Sequence, residues 1–419
     1  AGGGVRAAAW TALVTNCAFG SQPDDECHRP AALGDPWSAL FAASGASGGS
    51  VGLASVIAEH LSTTSEKGWV LDRLGTDLLS PSVAWQLLVE APLVLPRIAP
   101  GMDRAEVLER TWSRRWGGSA AVCRDPDGDA LNPGDLPLRS LWPADAGRSW
   151  CAPRLPLFFP NGTSLTDGCR FNVSMFDAAP DDINCGAARQ WTEEVSPRFA
   201  VTRDLVDFLC TDEDVRLSTA AFLSARFPFV SPTGRVASPE LRGREKDPPC
   251  GTEESGQVAF VGDGGYKDNT GASALLELWD SVRGQVEAAN RGQGPCVVPV
   301  FVEINNGYID RRAPSSGGRL AESVGPFAGA VGVFAKRDSA GPELASALFA
   351  DEVRTSDGGS LKKFVSFALA PHPGVQAPLG WSLSESSKAD LLRQLSEERN
   401  RLALEHLYKL LTPGLLRCP

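Results

Sequence analysis

A single-domain α/β fold is predicted for this 419-residue chain by three observations. Apolar runs of strand length alternate with stretches of helical periodicity. Glycine-rich turns stand where strands hand over to helices. No internal repeat interrupts the pattern.

The elements follow in order. Residues 5–18 read as a helix opening from a glycine run, and 19–36, carrying Pro23, Pro30 and Pro36, as a loop. The apolar stretch 39–44 is a strand, and 48–61 a helix whose small residues allow close packing. Residues 70–115 carry helical segments interrupted by Pro81, Pro92, Pro96 and Pro100. The Gly-, Pro- and Asp-rich stretch 117–154 reads as a surface insertion. Residues 155–160 and 170–176 pair as strands around Thr166-Asp167-Gly168. A helix over 214–227 ends at Pro228, and a polar loop, 231–256, leads into the short buried strand 257–262. Then come a helix over 270–290, a strongly apolar strand at 296–304, helix within 317–355 and a strand at 361–370. The region 384–411, with Leu391, Leu392, Leu395, Leu402, Leu404, Leu407, Leu410 and Leu411, reads as one amphipathic C-terminal helix.

Composition excludes some functions. A hydrophobic content of 42% and a charged content of 22% are those of a globular protein in water. The net charge of −11 leaves no basic face for nucleic acid and no polybasic anchor for anionic lipid. No stretch approaches the ~20 apolar residues that span a bilayer. The chain opens at Ala1-Gly2-Gly3-Gly4 without signal peptide or initiator Met, so an upstream part is expected to be missing.

Ten scattered cysteines, with no C-x-x-C and no Cys/His cluster, argue against zinc. They suggest disulfides and an extracytoplasmic location: secreted, periplasmic or an ectodomain. Neighbours along the chain suggest the pairs Cys17–Cys27, Cys123–Cys151, Cys169–Cys185, Cys210–Cys250 and Cys296–Cys418, with buried free thiols as the alternative. Asn161-Gly162-Thr163 and Asn172-Val173-Ser174 are glycosylation sequons.

The chemistry-bearing motif is Gly45-Ala46-Ser47-Gly48-Gly49. A serine between glycines, after a strand and before a helix, has the form of a nucleophile elbow, though a plain Gly/Ser loop has the same composition. In Gly2-Gly3-Gly4-Val5-Arg6, consecutive glycines leave backbone N–H groups open to an oxyanion; a dinucleotide-type glycine loop or a frayed terminus is the local alternative. Asp263-Gly264-Gly265 follows the strand 257–262, so Asp263 stands at a strand end. There it is either a base for Ser47 or a turn residue.

In this order, G-G-G-x-R at 2–6, G-x-S-x-G at 45–49 and D-G-G at 263–265 resemble the motifs of patatin-like phospholipases. The stretches 218–228 (STAAFLSARFP) and 378–384 (PLGWSLS) resemble the bacterial branch of that family. The resemblance covers most of the chain. It implies a three-layer α/β/α domain over 1–419 with a mostly parallel sheet. It implies a Ser47–Asp263 dyad without histidine, an oxyanion hole from Gly2, Gly3 and Gly4, and no metal or other cofactor. The implied reaction is hydrolysis of acyl esters of phospholipids, lysophospholipids or neutral lipids at a membrane surface. Arg6 matches the family arginine; Ala7 departs from the glycine often found there. The cysteines and the 117–154 insertion lie outside the family core.

Two rivals remain. An α/β-hydrolase triad would join Ser47, an Asp and His372. A disulfide-braced extracytoplasmic binding domain would have kept the fold without activity. Calcium is a further alternative at Asp24-Asp25-Glu26 or Asp125-Pro126-Asp127-Gly128-Asp129, where solvated acids are the simpler reading. Residues 81–100 (Leu87, Leu88, Leu93, Val94 and Leu95 among prolines) read as core or as a lipid-facing lid, with core favoured.

Overall fold

The computed structural model describes residues 3–21, 23–62, 69–94, 96, 101–116, 131–141, 155–176, 202–210, 213–227, 230–238, 258–292, 296–308, 340–372, 380 and 382–417. Helix α1 (Gly4–Phe19) and helix α2 (Gly48–His60) are buried on almost every side, and strand β1 (Ala42–Ala46) leads into α2. Helices α3 (Trp69–Leu74), α4 (Leu79–Trp85), α5 (Ala91–Val94) and α6 (Arg104–Trp116) follow, with a π turn at Gln86–Glu90 just before Pro92. Proline has no N–H to continue a regular helical ladder, which accounts for the irregular turn there.

The central sheet is mixed rather than mostly parallel. Its strands are β1, β2 (Leu157–Ser164), β3 (Arg170–Asn172), β4 (Thr202–Asp204), β5 (Gly234–Ala237) and β6 (Val258–Gly262). The order is β4-β3-β2-β6-β5, with β1 also on β2. Pairings β1–β2 and β3–β4 are parallel; β2–β3, β2–β6 and β5–β6 are antiparallel. Strands β4 and β5 fall where loop or no strand was expected. Both are short edge strands, three and four residues long, with too few residues for a readable alternation.

Both faces of β2 are covered. Phe158 joins the main core with α1, α2 and helix α7 (Leu217–Leu223). Its neighbours Leu157 and Phe159 pack with Ala274 of helix α8 (Ala272–Asn290). Successive strand residues point to opposite faces, so these helices lie on opposite sides of the sheet. A separate parallel pair joins β7 (Phe301–Tyr308) to β10 (Phe364–Leu369). Between them come helix α9 (Ala340–Leu348) and the hairpin of β8 (Glu352–Arg354) with β9 (Ser360–Lys362).

The C-terminal region is two helices, not one: α10 (Glu385–Ser396) and α11 (Glu398–Leu411). Glu397 is extended between them, at φ −57° and ψ 136°. Buried Asn400 rewards the break. Its amide donates to Ala368 O at 2.9 Å and Gln394 O at 2.8 Å, and its oxygen accepts the Ala368 N–H at 3.1 Å. Leu391, Leu395, Leu404, Leu407 and Leu410 of the expected apolar face are buried, whereas Leu402 is exposed, and polar residues set the interruption.

Both sequon asparagines are interior. Asn161 is 0% and Asn172 1% exposed, and each amide is spent on internal bonds, so neither presents a glycosylation acceptor. Cys17–Cys27 is a disulfide as expected. Cys169, Cys210 and Cys296 are disulfide-bonded too. Cys123, Cys151, Cys185, Cys250 and Cys418 lie outside the described residues, as do most of 117–154 and the Asp125–Asp129 run.

The Asn400 clamp has a measurable value. Replacing Asn400 by Ala should lower the unfolding free energy by about 1–3 kcal/mol, because the Ala368 N–H and O lose buried partners. Urea unfolding checks this; an unchanged midpoint would remove the clamp from the account.

Candidate functional site

The register along one edge of β2 brings the site together. Ala46 of β1 pairs with Asn161, and Gly262 of β6 pairs with Thr163. Asn161 and Thr163 also pair with β3, so β1 and β6 share the opposite edge. One runs parallel to β2 and the other antiparallel, so their C-terminal ends meet. The next residues are Ser47 and Asp263.

Ser47 Oγ donates to Asp263 Oδ2 at 2.6 Å. Ser47 has φ 53° and ψ −127°, rare and costly for a residue with a Cβ, and it stands at the N-cap of α2. Its N–H is held by Ser224, at 3.1 Å to the carbonyl and 3.0 Å to Oγ. Ser224 Oγ also bonds Ser50 Oγ and donates to Asn161 O, while Ser224 O accepts the Gly264 N–H at 2.9 Å. One buried serine at the end of α7 thus ties the turn bearing Ser47 to the turn bearing Asp263.

Glycine is required where the turns close. A Cβ on Gly264 would lie 1.9 Å from Asn161 O. A Cβ on Gly48 would lie 2.0 Å from Gly4 O, so the start of α1 abuts the start of α2. Gly3 and Gly4 have φ 146° and 60°. First-turn N–H groups of a helix have no intrahelical acceptor, and Ser47, as N-cap of α2, stands at one such positive helix end with the start of α1 packed beside it. Gly2 lies outside the described residues.

Burial pushes the Asp263 carboxyl up to about 6, against the pull of hydrogen bonds from Ser47 Oγ and the Gly265 N–H. Burial and the nearby Asp263 charge raise the Tyr266 hydroxyl to about 12, so it stays neutral. A carboxylate half-protonated near pH 6, in contact with a serine hydroxyl, can accept that proton. Helix-end N–H groups can stabilise an oxyanion on the attacked carbon.

His372 is not brought to Ser47. Its Nδ1 bonds Asp390 at 2.6 Å and its Nε2 bonds Glu397 at 2.9 Å; these two hydrogen bonds raise its pKa. Among the described residues, no group of three or more His, Cys, Asp or Glu side chains is placed to hold a metal. Asp25 and Glu26 occupy a short 3₁₀ turn.

Compared with models of protein families, with curated proteins and with solved structures, the chain finds no match in any of the three.

Sequence reasoning missed Ser224 and Asn161. Ser224 sat unremarked within 218–228, and Asn161 read as a sequon. The Asn161 amide donates to Ser44 Oγ, Gly45 O and Phe159 O, holding β1 to β2 just below the elbow. Nothing local distinguishes such residues, because their partners lie 63 and 116 positions away.

The raised Asp263 pKa has a stability consequence. Its folded value exceeds the ordinary 3.8, so the native state binds the extra proton between about pH 4 and 6. Stability from this group is present below that window and lost as pH rises through about 6. Asp263→Asn removes the buried charge and should unfold at higher urea than the parent at pH 8, by up to about 3 kcal/mol. The gap should close toward pH 4. A pH-independent difference would refute the burial account.

Proposed function

We propose that this chain is a patatin-like lipid acyl hydrolase that cleaves carboxylic esters through a Ser47 acyl-enzyme. The observation that carries the reading is the 2.6 Å bond from Ser47 Oγ to Asp263 at a positive-φ turn flanked by two helix starts. The ordered motifs at 2–6, 45–49 and 263–265 support the family assignment. The helices on both faces of β2 fit its layered fold.

In the proposed reaction, Ser47 Oγ attacks the ester carbonyl while Asp263 Oδ2 takes its proton. Charge develops on the carbonyl oxygen, facing the N–H groups of Gly3, Gly4 and Gly48. The intermediate collapses, and the alcohol leaves with the proton from Asp263. Asp263 then takes a proton from water, whose oxygen attacks the acyl carbon; as the Oγ–C bond breaks, Asp263 returns the proton to Ser47 Oγ and the carboxylic acid is released. No metal or cofactor enters.

A lipid substrate finds support in the segment first read as core. Leu87 is 63% and Leu88 76% exposed, with Val83 beside them on the preceding helix. Exposed leucines in the π turn between α4 and α5 suit contact with an apolar interface. The disulfides favour an oxidising, extracytoplasmic setting. No described helix is long and apolar enough to cross a membrane.

The test is fatty-acid release from phospholipids, lysophospholipids and short esters, with fluorophosphonate labelling of Ser47. Ser47→Ala and Asp263→Asn should each cut release by about 10³-fold or more. His372→Ala should leave labelling intact; loss of the adduct there would favour the triad. No adduct on the parent would favour a binding domain. The parent kcat/KM should fall about tenfold per pH unit below pH 6, as Asp263 takes up its proton. Ser224→Ala should lower kcat by about 10- to 100-fold with KM little changed, since a small displacement of the nucleophile is costly.

A further inference from the structure

The carbonyl groups that hold the turns of Ser47 and Asp263 lie at the end of one short helix. Ser224 O accepts the N–H groups of Ser47 and Gly264 at 3.1 and 2.9 Å, and Arg226 O accepts the Asp263 N–H at 3.1 Å. Both carbonyls stand just past the last turn of α7, where a helix has no N–H of its own to offer them. The positions of both turns are therefore set by how α7 lies.

Helix α7 is seven residues long, and four of them, Ser218, Thr219, Ala220 and Ala221, are small. Its apolar packing, with Phe222 edge-on to Trp112 of α6 at 5.8 Å, is non-directional and tolerates rotation. Hydrogen bonds are directional, and α7 receives two from one carboxylate. Glu109 of α6 accepts Thr219 Oγ1 through Oε2 at 2.9 Å and Arg226 Nη2 through Oε1 at 2.7 Å. Arg226 stands about two helical turns beyond Thr219, so Glu109 grips α7 near its start and just beyond its end. The side chains of Arg226 and Glu109 are only 9% and 11% exposed. Among the described residues Arg226 Nε and Nη1 have no partner, which leaves Glu109 as its carboxylate.

We propose that Glu109 is a positioning residue for the Ser47–Asp263 pair, acting through Thr219 and Arg226 on the carbonyls at the end of α7. Its role rests on the hydrolytic chemistry proposed above. A buried ion pair adds little net stability beside apolar residues of similar volume, so stability alone does not account for this one. Its effect is orientation. Ser47 Oγ and Asp263 Oδ2 are 2.6 Å apart on turns hung from Ser224 O and Arg226 O. Rotating α7 moves both acceptors and lengthens that contact, and misplaced reacting groups lose rate steeply. Glu109, Thr219 and Arg226 are absent from the lining of the cavity that opens at Ser47 and Asp263. Loss of the grip therefore acts on kcat and leaves substrate binding alone.

Glu109→Gln keeps the shape but cannot accept from both partners. It should slow fluorophosphonate labelling of Ser47 and lower kcat on a short ester by about 10- to 100-fold, with KM within about twofold. Thr219→Val, which removes one donor at constant shape, should lose about 2- to 10-fold. Glu106→Gln, in a surface pair with Arg110 on the same helix, is the control and should match the parent. The double variant Glu109→Leu/Arg226→Met separates orientation from stability. With both charges gone the thermal midpoint should return to the parent's, while labelling stays slow. Hydrogen exchange supplies a readout without hydrolysis: peptides over 42–50 and 258–268 should exchange about tenfold faster in Glu109→Gln, and those over β7 and β10 should not. Parent-like labelling or exchange in Glu109→Gln would overturn the proposal. So would labelling that recovers together with the midpoint in the double variant. A parent that forms no adduct would refute the hydrolytic reading instead, and the exchange comparison would still decide the grip of Glu109.

Discussion

The structure depends on one edge of one strand. Strand β2 is eight residues long, and along the edge opposite β3 it accepts β1 at Leu157–Asn161 and then β6 at Thr163–Ser164. An antiparallel strand following a parallel one on the same edge forces their C-terminal ends together. Side-chain direction has a period of two, so slipping either strand by one residue would turn its terminal side chain to the other face. The contact between Ser47 and Asp263, 216 positions apart in sequence, is therefore a consequence of register. Asn161 and Ser224 enforce it by bonding across the junction, and Thr163 Oγ adds a bond to Asp263 O.

Electrostatics then holds the carboxylate turn. Beneath it, fully buried Arg170 bonds Glu277 of α8 and lies 3.8 Å from Asp268. Asp268 Oδ1 accepts the N–H groups of Thr270 and Gly271, closing the loop between Asp263 and α8. Burial raises Glu277 to about 7 despite Arg170. A buried ion pair of this kind adds little net stability beside an apolar alternative, but removing one partner strands the other. Its structural effect is specificity: it anchors α8 and the 264–271 loop to β3 on the side of the sheet away from α2. The loop that carries Asp263 is thus fixed at both ends, by Ser224 and by Arg170.

Much of this was legible in the chain. Helices α1 and α2 follow from the glycine run before one and the small residues of the other, and β6 and β7 from apolar runs. The three glycine motifs drew attention to Ser47 and Asp263 because close backbone approach leaves a mark in composition. Other features leave none. Strand β5 lies inside a polar stretch because an edge strand needs little apolar surface. The sheet is mixed because direction is set by connection geometry, which hydrophobic patterning does not encode. Leu87 and Leu88 look like core residues in one dimension and are exposed in three. The break at Glu397 falls in the polar stretch 396–401 between Leu395 and Leu402, and the contact of Asn400 with β10 fixes it there.

The histidines bring the chemical argument to a point. His60 stacks on Trp37 at 3.9 Å, bonds Ser21 through Nδ1, and has its pKa lowered by burial. His406 bonds Lys362 O, and His28 closes a 3₁₀ turn in the left-handed region. His372 has a carboxylate on each nitrogen, and these two hydrogen bonds raise its pKa and hold the ring at Asp390 and Glu397. These are all four histidines of the chain; the rings of His60, His372 and His406 are bonded elsewhere, and His28 is exposed. An imidazole base would require a rearrangement of one of these anchors. A carboxylate base requires none: Asp263 is already in contact with Ser47 Oγ, its pKa lies within reach of neutrality, and its second oxygen is steadied by the Gly265 N–H. Burial raises the Asp263 carboxyl further than the hydrogen bonds from Ser47 and Gly265 lower it, so its charged form carries a net cost in stability.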